Sequence, residues 1–77
     1  MLKSQLIAKC LYQCGMISDI QSGESAVESI FNEYFPDSSF NKWNTQLSDN
    51  VSEHFLRISR GSSTIHVDSF IKDLWDL

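Results

Sequence analysis

Apolar and polar positions alternate along this chain with a helical period from end to end. Leu2, Leu6, Ile7, Cys10, Leu11 and Cys14 recur at steps that put them on one stripe, with Lys3, Lys9 and Gln13 on the other side. Gly15 stands where a left-handed residue closes a helix, so the pattern predicts a first helix over 3–14. Residues 16–23 read as a connector whose Met16, Ile17 and Ile20 tuck beneath that helix. Ser25 and Glu28 then have the spacing of a capping box. Val27, Ile30, Phe31, Tyr34 and Phe35 supply the apolar face of a second helix over 26–35, which Pro36 ends.

Asp37, Ser38 and Ser39 are all residue types that cap a helix start. Phe40, Trp43, Leu47, Val51, Phe55 and Ile58 carry a stripe as far as Gly61. Ser48-Asp49-Asn50 has poor helix propensity in the middle of that stripe, so one helix and two are both consistent with it. After the Gly61-Ser62-Ser63 turn, Ile65-His66-Val67 either forms a short extended piece or leads into a last helix capped by Ser63, Thr64 or Asp68. Val67, Phe70, Ile71, Leu74 and Trp75 face that helix inward. The expectation is an all-α domain spanning residues 1–77. It is a compact bundle of four or five short helices with a helix-turn-helix-like pair in the middle.

Size and charge narrow the functional classes. A 77-residue chain has room for one core and buries only about 60% of its unfolded surface. Its 12% aromatic content exceeds what such a core demands, which points some of that surface toward a partner. The formal charge of −4 disfavours nucleic acid and anionic lipid, which bind concentrated Lys and Arg. Here the basic residues are scattered, and only Arg57 and Arg60 form a local pair. No apolar run approaches the ~20 residues of a membrane span, and no signal-peptide pattern opens the sequence. The expected compartment is the cytoplasm, where cysteines stay reduced.

Candidate chemistry is sparse. Cys10 and Cys14 share a helical face, which is a geometry metal ligands use, but His54 and His66 fit no zinc spacing relative to them. Both cysteines continue the core stripe and read as small apolar residues. No nucleophile elbow, phosphate loop or calcium loop occurs, so no enzyme, metal or cofactor is implied. Asp37-Ser38 resembles the Asp-Ser of acyl carrier proteins, acidic four-helix domains whose serine carries phosphopantetheine at the start of a helix. That resemblance would make Ser38 an attachment point. Ser39 stands where the family has a hydrophobic residue, and Pro36 precedes the pair.

Two further readings remain. The favoured one is a non-catalytic protein–protein interaction module: an adaptor, an inhibitor or immunity-type protein, or a self-associating subunit. Trp43, Trp75 and Phe40 are its anchor candidates, with Arg57 and Arg60 as charged contacts, because Trp and Arg dominate binding hot spots. The alternative is a DNA-binding helix-turn-helix whose third helix offers Asn41, Lys42, Asn44, Thr45 and Gln46 to base edges.

Overall fold

The computed structural model describes all residues 1–77. Five helices follow one another: α1 (Lys3–Gln13), α2 (Ile20–Tyr34), α3 (Phe40–Trp43), α4 (Asp49–Ser59) and α5 (Val67–Asp73). The all-α bundle expected from the pattern is therefore what forms. The Cα radius of gyration is 11.4 Å, close to the ~11.5 Å of a compact chain this long. One core draws on every helix: Leu6, Ile7, Cys10 and Leu11 from α1, Val27 and Phe31 from α2, Trp43, Phe55, Val67 and Ile71 from the rest. No helix is long and apolar enough to cross a membrane.

The local punctuation explains most boundaries. Gly15 sits at φ 77°, and the amides of Gly15 and Met16 return to the carbonyls of Tyr12 and Leu11. Those are the two bonds of a Schellman closure, which needs a residue free of Cβ strain. Pro36 stops α2 at Tyr34. The long stripe from Phe40 is broken into two helices. Ser48 caps the second of them by accepting the Val51 amide at 3.3 Å, and Ser39 caps α3 through the Lys42 amide at 3.3 Å.

Four expectations need correction. Helix α2 starts at Ile20, not beside Ser25, because the Asp19 carboxylate accepts from the amides of both Gln21 and Ser22. The intended connector thus loses half its length to the helix. Gly23, now inside α2, lies buried against Ala8 and brings α1 and α2 close together. Second, Ile65-His66-Val67 does lead into the last helix rather than a strand, but α5 begins after His66 without a side-chain cap from Ser63, Thr64 or Asp68. Third, Ile58 is 51% exposed, and Ser52 and Ser59 take the inward positions of α4. Fourth, α3 is a single turn, so the central helix pair consists of one long helix and one very short one.

The start of α1 has no Ser, Thr, Asp or Asn to cap it, and the chain solves this from a distance. The Lys3 amide donates to the Thr45 carbonyl at 3.2 Å. The Ser4 amide donates to Asn44 Oδ1 at 2.9 Å. Leu2 also forms an isolated antiparallel bridge with Gln46. These bonds satisfy helix amides that would otherwise be orphaned, and they hold residues 44–47 out of helical geometry.

Candidate binding groove

Phe31 organises the candidate site. It is fully buried in α2, and four aromatic rings surround it. Phe35, Phe40, Trp43 and Trp75 have their centroids 5.5, 5.6, 5.1 and 5.9 Å away. Trp75 stacks on Phe31 with only 9° between planes, yet it is 42% exposed. Aromatic pairs at such distances each stabilise by about 0.5–1.5 kcal/mol beyond area burial. Trp75 is therefore fixed on one face and open on the other.

The open side of this cluster is a groove of about 450 Å³ lined by Asp37, Ser38, Ser39, Lys42, Trp43 and Trp75. The Pro36 turn and the single turn of α3 form one wall, and Trp75, just past α5, forms the other. Trp43 is only 6% exposed, and its indole N–H is buried with no acceptor in the chain. An orphaned buried donor costs about 1–3 kcal/mol, and it is the sole such side-chain group in the molecule.

Lys3 is a second unusual group beside the cluster. Its side chain is buried, and its ammonium lies 5.8 Å from the Trp43 ring centroid in cation–π geometry. Burial holds the Lys3 amine below the usual lysine value, and the nearby Asp76 carboxylate partly offsets this. The sequence reads Lys3 as a solvated helix residue. It is covered because the 43–47 segment folds back over the start of α1.

The cysteines belong to a different contact, between α1 and α4. Cys10 is fully buried and Cys14 half-buried. The Cys14 thiol donates to the Ser59 carbonyl at 3.2 Å, and the Cys10 thiol approaches the Phe55 carbonyl at 3.9 Å. Gln13 Nε2 donates to both the Leu56 carbonyl and Ser59 Oγ. Of these, the Leu56 and Ser59 carbonyls belong to the last turn of α4, where the helix's own amides run out. Burial pushes the Cys10 thiol up, Ser59 pulls it down by hydrogen bonding, and Cys14 adds a small upward push. No group of three or more His, Cys, Asp and Glu side chains gathers to hold a metal ion.

The structure brings Trp43, Trp75 and Lys42 to one groove, with Phe40 half-buried behind Trp43. Arg57 and Arg60 lie elsewhere, in a shallow recess on α4 with Glu53 and Leu56. Of the DNA-reading candidates, only Asn41 and Lys42 ride on α3. Asn44 and Thr45 are engaged in capping α1, and the Gln46 backbone pairs with Leu2. Ser38 lies in the turn before the Ser39 N-cap rather than at a helix start. The groove's polar wall of Asp37, Ser38 and Ser39 was missed by sequence reasoning, which explains all three as caps. Their position between two aromatic stripes is the signal that could have found it. No protein-family model, curated protein or solved structure matches this chain.

Proposed function

We propose that this chain is a small, non-catalytic protein-interaction module that seats a segment of a partner in the Trp43–Trp75 groove. The observation that carries the reading is Trp75, an indole stacked on the core yet open to solvent on its other face. A rigid, half-exposed aromatic loses little conformational freedom on binding, which is why such residues anchor interfaces. The polar turn at 37–39 supplies orienting groups around an apolar floor, the composition that recognition sites use. An adaptor, an inhibitor of a larger target and a self-associating subunit all fit this chemistry. The cytoplasm remains the compartment of this reading, where Cys10 and Cys14 stay reduced.

The test compares the wild type with Trp75→Ala, which alters an exposed ring and leaves the core residues in place. Affinity purification and solution mass should give a stoichiometric partner or a defined oligomer for the wild type. Trp75→Ala should lose it while keeping its helical circular dichroism. A strictly monomeric wild type that retains no partner sinks the proposal, as does a partner held equally by the variant. A duplex shifted at low salt and released by Lys42→Ala would favour the DNA-binding alternative instead.

A further inference from the structure

The segment between α4 and α5 is tied down by one long-range bond. The Ile65 amide donates to Met16 Sδ at 3.2 Å, across 49 positions of sequence. Ile65 belongs to the core, yet its amide has no backbone carbonyl to turn to, and the amides of Ser63, Thr64 and His66 have no acceptor in the chain. Met16 is put in place by the closure of α1, where its own amide returns to the Leu11 carbonyl at 3.0 Å. The residue is nonetheless 44% exposed. The second of the two methionines, Met1, is half-buried and packs on the core.

We propose that Met16 is a reversible oxidation site for hydroperoxides, and that its conversion to the sulfoxide releases the Ile65 amide and the lead-in to α5. A lone pair of the thioether sulfur attacks a peroxide oxygen. The S–O bond forms as the O–O bond breaks, and the second oxygen leaves as water. Sulfur gives up two electrons and the peroxide takes them. The sulfur that accepted the Ile65 N–H then carries an oxygen and a partial positive charge, so it no longer accepts there. A methionine sulfoxide reductase reverses the step, with the oxygen leaving as water while two thiols join as a disulfide. The start of α5 has no side-chain cap of its own, so the N–H···S bond is the tie that precedes its first turn. Cys14 is the competing target, a half-buried thiol that donates to the Ser59 carbonyl. A thiol must become thiolate before it attacks, whereas a thioether has no proton to lose. The site is separate from the Trp43–Trp75 groove and needs no partner to act.

The test treats the full chain with hydrogen peroxide, locates oxidation by peptide mass mapping and follows amide exchange by nuclear magnetic resonance. Met16 should gain one oxygen in the native chain at a rate close to that in urea. Exchange at Ile65 should then rise about tenfold, the loss of one hydrogen bond, while amides in the middle of α2 keep their protection. The two epimer-specific methionine sulfoxide reductases, with dithiothreitol, should restore the slow rate. Met16→Leu keeps the apolar bulk but offers no acceptor, so its Ile65 amide should exchange fast from the start and ignore peroxide. Cys14→Ser retains a donor for the Ser59 carbonyl and should respond as the wild type does. Oxidation of Met16 only in the unfolded chain would overturn the site. So would an unchanged Ile65 rate in the sulfoxide form, or a response that vanishes in Cys14→Ser. Protection lost across all five helices would mean general unfolding, and would overturn the local release.

Discussion

The contact between Gly23 and Ala8 can be weighed in both directions. A Cβ added at Gly23 would overlap Ile17 Cδ1 and lie 3.0 Å from Ala8 Cβ and 3.3 Å from Ala8 Cα. Ordinary carbon contacts are about 3.5–4.0 Å. The tip of Ile17 is half-buried and can swing aside, but the α1 backbone at Ala8 cannot. Helices α1 and α2 would have to part by roughly half an ångström, an overpacking that costs about 1–3 kcal/mol. Alanine also favours a helix interior over glycine by about 1 kcal/mol. Gly23→Ala should therefore destabilise by about 1 kcal/mol, a fall in Tm of about 4–8 °C for a domain this small.

A double-mutant cycle with Ala8→Gly sharpens this. Ala8→Gly alone loses helix propensity and a buried methyl, about 2 kcal/mol together. Moving the methyl from one helix to the other restores both terms and removes the 3.0 Å contact. The double variant should then lie near the wild type and be more stable than the two single effects predict, by about 3 kcal/mol. Urea denaturation followed by far-ultraviolet circular dichroism measures all four corners. If Gly23→Ala alone raised stability by the full propensity gain, or if the effects added within about 0.4 kcal/mol, the close approach of α1 and α2 would be wrong.

Three other outcomes follow from the same structure. Ser48→Ala removes the acceptor at the start of α4 and should cost about 1 kcal/mol in denaturant titrations; Gly15→Ala, forced to φ 77°, should cost about the same through strain. Thiol labelling in the native state should modify half-buried Cys14 and spare Cys10, whose raised pKa and full burial keep it protonated and shielded until the chain unfolds. Alkaline titration separates Lys3 from Cys10. The lowered Lys3 value means the unfolded chain binds that proton more tightly, so its effect makes stability rise with pH up to the usual lysine value of 10.5. The raised Cys10 value does the reverse, lowering stability as pH climbs above 9.0. Lys3→Met, which keeps the buried stem, should leave stability at pH 7 within about 1 kcal/mol and abolish the rising component. A steep loss at neutral pH would show that the ammonium is well paired.

The features legible in the sequence were those written in single residues. Gly15 and Pro36 end their helices where local chemistry demands, and Ser48 resolves the open question of one helix or two. The start of α2 was not legible, because two capping signals compete there and only the folded backbone decides for Asp19 over Ser25. The face of α4 was misjudged for a different reason. Ser59 turns inward, and Ile58 outward, because Gln13 and Cys14 supply polar partners from more than 40 positions away. The same holds at the groove. Trp43, Trp75 and Lys42 can be singled out by type, but their meeting around Phe31 is a tertiary fact. The burial of Lys3 follows from the backbone of 44–47, which no helical wheel displays.

The stack of Trp75 on Phe31 would tie the stability of the chain to a partner seated in the proposed groove. Trp75 follows a helix of only seven residues, the sort of element that opens before the whole molecule does. A ligand resting on its outer face clamps that end of the chain to the centre of the core. By mass action, a partner present at a hundred times its Kd would add about 2.7 kcal/mol to a fold whose total is about 0.05–0.15 kcal/mol per residue. Were the proposed groove filled in this way, free copies would be opened and degraded faster than occupied ones, and the amount of this protein in a cell would track the amount of such a partner.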